Sequence, residues 1–142
     1  MRVVVGIDPP ASSREGADAC GIVAAGLSES GIVYVLEDAS AAGLSPSAWA
    51  HRAIALYRRH QADAVVAEVN QGGDMVRAVL RQVDATVAVK EVHATRGKWL
   101  RAEPVAAMYA QGKVKHAGPP LATSCCKMST SVTSIPKALS VL

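Results

Sequence analysis

Short apolar runs that are typical of strands come first in this chain, and apolar residues at helical spacing follow. This order predicts an α/β fold. Residues 2–8 form a run rich in β-branched side chains, which is typical of a strand covered on both faces. Two further apolar runs, residues 19–26 and 31–38, are joined by Leu27-Ser28-Glu29-Ser30 and predict a hairpin. The chain therefore opens with three strands in a meander.

From residue 45 onward the pattern alternates between helices and strands. Ser45 and Pro46 supply an N-cap and a first-position proline for an amphipathic helix. The elements predicted after it are, in order, a strand at 64–68, a helix at 74–80, a strand at 86–92, a basic connection at 93–101, and a helix at 103–111 that ends at Gly112. We expect a mixed sheet flanked by helices, with strands 2–8 and 64–68 as parallel neighbours joined by a right-handed crossover.

Each of these two expected neighbours ends in a carboxylate, Asp8 in the first and Glu68 in the second. Taken singly, Asp8 has a plainer explanation as the start of a turn before Pro9, and Glu68 as a helix cap or an arginine partner. Together, at the carboxyl ends of adjacent parallel strands, they open into the crevice where ligands usually bind. Paired carboxylates are suitable ligands for Mg²⁺ or Mn²⁺, and such ions can activate water for phosphodiester cleavage.

Composition and charge narrow the class of protein less than the strands do. A chain of 142 residues that is 50% hydrophobic suits one domain with one core. A net charge of +3 permits a polyanionic partner without requiring one. No apolar run approaches the roughly 20 residues that cross a bilayer, so we expect a cytoplasmic protein without membrane contact. Three cysteines, Cys20, Cys125 and Cys126, match neither a disulfide framework nor a zinc spacing.

A cluster of cations, Arg96, Lys98 and Arg101, is the best candidate for contact with nucleic acid. Cations close to a metal-carboxylate crevice can neutralise phosphates and position the backbone without reading bases. The plainer interpretation of the same cluster is a solvated loop before a helix. We expect it to contact a nucleic-acid backbone.

Several segments resemble the nuclease domain of large terminase subunits, the DNA-packaging proteins of tailed phages and gene transfer agents. They are Val4-Val5-Gly6-Ile7-Asp8-Pro9, residues 16–23, residues 66–76 with Glu-Val-Asn-Gln-Gly-Gly-Asp, and residues 96–105. The resemblance covers residues 2 to 116. It implies an RNase H-like fold, a metal-dependent endonuclease that cuts concatemeric DNA, and Asp8 and Glu68 as its first two metal ligands. It also implies a terminase ATPase part, a small terminase subunit and a portal as partners.

The chain departs from that family's pattern at two points. The family's third aspartate, from a later motif, is missing because no acidic residue follows Glu103, and no Gly-x-x-x-x-Gly-Lys-Ser/Thr phosphate loop is present. Asp18, just before the second strand, is a candidate additional ligand. Fewer carboxylates should weaken metal binding and slow or stop cleavage. We interpret residues 2–117 as a truncated nuclease domain and residues 118–142, which lack Asp and Glu, as a disordered or frame-shifted tail.

Two alternative functions stay open at this point, and a third, nucleotide binding, is disfavoured by the residues. Actin-like ATPases and sugar kinases also place Gly-Ile-Asp after a strand, but their phosphate loops use backbone N–H groups that Pro9 and Pro10 do not have. A junction resolvase of the same broad fold would cut branched DNA. A degenerate prophage remnant would bind DNA weakly and cut nothing, and the missing third carboxylate favours it.

Overall fold

The computed structural model describes residues 1–9, 19–69, 73–93 and 98–117. Its elements are β1 (Arg2–Asp8), β2 (Gly21–Leu27), β3 (Val33–Asp38), α1 (Pro46–Arg59), β4 (Ala64–Glu68), α2 (Gly73–Val83), β5 (Val89–Val92), α3 (Lys98–Ala110) and β6 (Val114–His116). The strands form one mixed sheet in the order β5-β4-β1-β2-β3-β6. The predicted α/β class, with a three-strand meander followed by alternating helices and strands, is confirmed.

The meander is built from antiparallel pairing of β1 with β2 and of β2 with β3. Its tight turn is held by Ser28, whose hydroxyl accepts a hydrogen bond from the Ile32 backbone N–H at 3.1 Å. Gly31 in this turn has φ +76°, a conformation that a side chain would strain. A β-bulge between Ala24 and Ala25 shifts the register against β3.

The chain then returns through α1 to place β4 parallel to β1. The helix begins as the sequence predicts, because the Ser45 hydroxyl accepts from the Ala48 backbone N–H at 3.2 Å. Asp63 fixes the start of β4: its Oδ2 accepts from the Val3 N–H at 2.8 Å, and its own N–H donates to the Val3 carbonyl at 2.7 Å. These contacts set the register of the two central parallel strands at their amino end.

Apolar side chains on the two faces of the sheet form separate clusters. On one face, α1 and α2 cover the larger cluster, which includes Val5, Ile54 and Leu80. On the other face, α3 packs through Val105 onto β2, β3 and β6. A small third cluster around Val66 lies on this second face, over β1 and β4. We call these the helix-pair face and the site face.

Two predicted element starts are wrong. The strand expected from Thr86 begins at Val89, because Asp84 accepts hydrogen bonds from the Thr86 backbone N–H and hydroxyl and holds a turn there. The last helix begins at Lys98 instead of Glu103, so the expected connection at 93–101 is shorter. Residues 98–103 contain good helix formers, which favour the earlier start even though Pro104 removes a backbone donor inside the helix and crowds the preceding turn.

The third helix ends as predicted, and an unpredicted strand follows it. Gly112 has φ +66°, with N–H bonds from Gly112 to Tyr109 and from Lys113 to Met108 that close the helix. The short strand β6 then pairs parallel to β3. Asp18, Arg96, Cys125, Cys126 and the expected tail at 118–142 lie outside the described residues. Across the described part of the chain, no helix has the length and apolar character needed to cross a bilayer.

Candidate functional site

The register of β1 and β4 brings Asp8 and Glu68 to the same end of neighbouring strands. Parallel pairing runs from Val4 opposite Ala64 to Ile7 opposite Ala67, and the two acids are the next residue of each strand. Adjacent strands lie about 4.8 Å apart, so the backbones that carry the two acids are close neighbours. The expected parallel pairing of these strands is confirmed.

The two acids also lie on one face of the sheet. Side chains alternate between faces along a strand, and Ile7 and Ala67 belong to the cluster on the helix-pair face. Asp8 and Glu68 therefore lie on the site face, on the side where Val66 is buried. Both acids are partly buried. A carboxylate in such a position requires hydrogen bonds, a counter-charge or a cation.

Two glycines flank Asp8 on the same face. Gly6 precedes it by two residues in β1, and Gly21 is its direct partner in β2. Neither glycine has a side chain that would occupy the space next to the carboxylate. The carboxylate at the end of β1 is thus bordered by glycine backbone within its own strand and in β2.

Within the described ranges, no group of three or more His, Cys, Asp or Glu side chains is suitably placed to hold a metal ion. Asp38 lies on the site face opposite Val23, but β2 separates it from β1, and it accepts a hydrogen bond from the Ser40 N–H at 2.8 Å. Asp74 is exposed in the first turn of α2. The candidate ligand Asp18 falls in the undescribed segment 10–18, so its role stays a prediction.

Of the predicted DNA-binding residues, Lys98 and Arg101 belong to the first turn of α3, and Arg96 lies outside the described residues. The same helix packs on the site face through Val105, which lies in a cluster with Val23 and Val35. The helix that carries two of the three cations therefore lies on the face that carries the acids. Their contact with DNA stays a prediction.

Sequence reasoning missed Lys90, an exposed cation in β5 on the site face. Lys90 lies opposite Val66 of the neighbouring strand β4, and Val66 precedes Glu68 by two residues. Its neighbour Glu91 lies on the opposite face, where Arg77 Nε approaches its Oε1 at 2.8 Å. Only the register of β5 could have identified Lys90, because its sequence context is an ordinary alternating strand.

The cations at the end of α1 have structural partners away from the acids. Arg59 and His60 both contact Glu37 of β3, with His60 Nε2 at 2.9 Å from Glu37 Oε2. Burial acts to raise the pKa of Glu37, but the hydrogen bonds from His60 and Arg59 outweigh it, so the pKa lies below its ordinary value. These contacts link the end of α1 to β3.

The remaining cation of this group, Arg58, approaches Asp84 Oδ2 with Nη2 at 2.7 Å. The Thr86 hydroxyl donates to the other carboxylate oxygen, also at 2.7 Å. The Thr86 hydrogen bond and then the Arg58 hydrogen bond lower the pKa of Asp84 to about 2. The ion pair links the end of α1 to the turn before β5.

Solved structures with the same architecture are RNase H-like nucleases. The large terminase nuclease from thermophilic phage G20c matches 98% of this chain and 81% of its own, with 14% identity and a TM-score of 0.67. The human cytomegalovirus terminase nuclease domain matches 99% and 81%, with 14% identity and a TM-score of 0.65. RuvC of Thermus thermophilus, solved with a Holliday junction substrate, matches 96% and 90%, with 17% identity and a TM-score of 0.55. At these identities the similarity shows the fold, which is RNase H-like.

The sequence itself assigns the family. The family model described as the terminase RNase H-like domain matches residues 5–135, which is most of the chain. This chain therefore belongs to the terminase RNase H-like domain family. No curated protein matches the sequence. Among the structural relatives, the cytomegalovirus domain was soaked with manganese and a form of the G20c nuclease holds cobalt.

Proposed function

We propose that this chain is a metal-dependent DNA endonuclease domain of a phage-type terminase large subunit, with Asp8 and Glu68 as ligands of Mg²⁺ or Mn²⁺. The observation that carries the proposal is the parallel register of β1 and β4, which ends with these two acids on one face. Membership in the terminase family supports a nuclease of this class. Divalent ions in two structural relatives support the cofactor class.

The donor set fits such an ion. Mg²⁺ and Mn²⁺ prefer carboxylate oxygens, and both acids are partly buried at a strand end bordered by glycine backbone. When bound, the ion would supply Lewis-acid activation of water and stabilise the leaving oxygen. The protein's own contribution is to hold the ion through Asp8 and Glu68 and to position the duplex. For that second task we propose Arg96, Lys98 and Arg101 as phosphate contacts.

A second candidate function follows from the missing third acid. No acidic residue follows Glu103, and the described residues provide no third ligand beside Asp8 and Glu68. A site built from Asp8 and Glu68 alone would hold a pair of divalent ions weakly, because each ligand charge lost lowers the affinity. The alternative is a non-catalytic remnant that binds duplex DNA without cutting it. A resolvase-like activity is a further alternative, supported by the similarity to RuvC.

The partners of this domain are proposed from its family. The proposed partners are double-stranded DNA, a terminase ATPase part, a small terminase subunit and a portal, and the proposed compartment is the host cytoplasm. Membership in the family supports these partners. Of these partners, DNA is also supported by the cations of α3 and by the net charge of +3.

The decisive experiment combines plasmid nicking with metal titration. We expect the parent chain to nick supercoiled plasmid in Mg²⁺ or Mn²⁺, and Asp8→Asn and Glu68→Gln to reduce nicking to the level without metal. Isothermal titration with Mn²⁺ should show weaker binding in both variants, a readout that does not need turnover. The matched control is Glu29→Gln, an exposed acid in the β2–β3 turn, which should nick and bind Mn²⁺ like the parent.

The possible results separate the three functions. Equal nicking by parent and acid variants would overturn the assignment of the site and attribute the activity to another source. Binding of duplex DNA without any nicking would favour the non-catalytic remnant. Cleavage of four-way junctions in strong preference to linear duplex would favour the resolvase alternative.

A further inference from the structure

We propose that Lys90 binds a backbone phosphate of the substrate and positions the duplex at the β5 side of the carboxylate pair. This inference rests on the proposed function, since it assigns a substrate contact to the same site. It adds a cation from the sheet itself to the cations expected at the start of α3. The reasons are the face of the sheet on which Lys90 lies, its distance from Glu68, and the lack of an ion-pair partner for it among the described residues.

The contacts of the neighbouring residues fix the face on which Lys90 lies. Val89 packs against the cluster under α1 and α2, and Glu91 pairs with Arg77 of α2, so both lie on the helix-pair face. Val92 packs with Val66 on the site face. Since faces alternate along a strand, Lys90 shares the site face with Val92.

The register also places Lys90 within reach of the substrate expected at the acids. Lys90 is opposite Val66, and Glu68 is opposite Val92, two pairs further along the strands. One strand spacing and two residue rises separate the Cα atoms of Lys90 and Glu68 by about 8 Å. A phosphate next to the one cleaved at Glu68 therefore lies within the range of a flexible ammonium group.

The ammonium group has no competing structural task in the described part of the chain. None of the ion pairs formed there includes Lys90, although the acid beside it in β5 is paired. Lys90 is exposed, and β5 is the edge strand of the sheet. A duplex approaching the acids from this edge would meet a free cation before it met the carboxylates, and the cation offsets their repulsion of phosphate.

The test measures binding of a duplex oligonucleotide by fluorescence anisotropy in EDTA, across a series of salt concentrations. One lost phosphate contact should lower the slope of log K against log salt by about 0.9 and weaken binding about five- to ten-fold at 0.1 M salt. We expect both changes for Lys90→Ala and restoration by Lys90→Arg. The matched control is Lys115→Ala, which removes an exposed lysine from β6, the strand at the other edge.

The control and the arginine variant make the result specific. Thermal melting should give the same midpoint for parent, Lys90→Ala and Lys115→Ala, which excludes a merely structural effect. Unchanged affinity and salt slope in Lys90→Ala would overturn the proposal, and so would an equal loss in Lys115→Ala, which would indicate net charge alone. The proposed function is judged separately, by metal-dependent nicking and its loss in Asp8→Asn. A parent chain that binds no duplex at all would overturn both.

Discussion

The two faces of the sheet differ in what covers them and in what they present. On the helix-pair face, α1 and α2 bury an apolar cluster that includes Val5, Ile54 and Leu80, and two ion pairs, Arg58 with Asp84 and Arg77 with Glu91, lie at its border. On the site face, α3 covers the β2, β3 and β6 side, and a smaller cluster lies over β1 and β4. The helix-pair face therefore supplies most of the apolar packing, while the site face carries the strand ends with the two acids.

The largest expected effect tests whether the two faces contribute differently to stability, and it uses two neighbouring valines of β1. Val5 lies in the cluster on the helix-pair face and Val4 in the small cluster on the site face, and both are buried. We expect Val5→Ala to lower the free energy of unfolding by about 2–3 kcal/mol, through lost transfer energy and a residual cavity. Val4→Ala should cost less, because fewer described apolar neighbours surround it. Urea denaturation followed by circular dichroism measures both.

A surface control belongs with this pair. Met75 is 55% exposed in α2, so Met75→Ala should change stability by no more than about 0.5 kcal/mol. Equal losses in Val4→Ala and Val5→Ala would mean that the two faces contribute alike to stability. In that case the claim that the helix-pair face supplies most of the stability would be wrong, even though the candidate site would keep its geometry.

The next prediction concerns the amino end of the two strands that carry the acids. The Asp63 carboxylate accepts a hydrogen bond from the Val3 N–H at 2.8 Å, and removing it leaves that donor without its partner. We expect Asp63→Ala to cost about 1–3 kcal/mol in the free energy of unfolding, and Asp63→Asn to cost less because the amide retains an acceptor oxygen. Chemical denaturation at neutral pH measures both variants.

The same variants also test whether Asp63 affects metal binding at Asp8 and Glu68. The contact lies at the opposite end of β1 and β4 from Asp8 and Glu68, so Asp63→Asn should keep Mn²⁺ affinity within about two-fold if pairing alone sets the register. Loss of Mn²⁺ binding without loss of stability would show that the register depends on Asp63. The exposed Glu29→Ala serves as the control for removal of one negative charge.

Much of this architecture could be predicted from local signals. The β-branched run of β1, the Ser45 cap of α1 and the serine-containing turn between β2 and β3 each fix an element through its own residues. The pairing of β1 with β4 followed because a parallel neighbour needs a crossover of about the length that α1 provides. The backbone positions of Asp8 and Glu68 were therefore accessible from sequence.

What could not be predicted depends on contacts between distant residues. The strand β6 has only three residues, and its pairing with Val33 and Val35 of β3 stabilises it more than its own composition does. The start of β5 depends on the turn at Asp84, whose partner Arg58 lies at the end of α1. The position of Lys90 beside the acids depends on the register of β5 against β4, so no local pattern marks it as a candidate contact.

The smallest expected effect is a change in the pH dependence of stability that is caused by Asp84, the partner of Arg58 at the end of α1. The Thr86 and Arg58 hydrogen bonds lower the pKa of Asp84 from 3.8 to about 2. Because the folded-state pKa is lower than the unfolded one, this contribution is fully present above about pH 4 and is lost as pH falls toward 2. Asp84→Asn should therefore flatten the decline of the melting temperature between pH 4 and pH 2. Glu29→Gln should leave that decline unchanged, and a parallel decline in Asp84→Asn and parent would show that other carboxylates cause it.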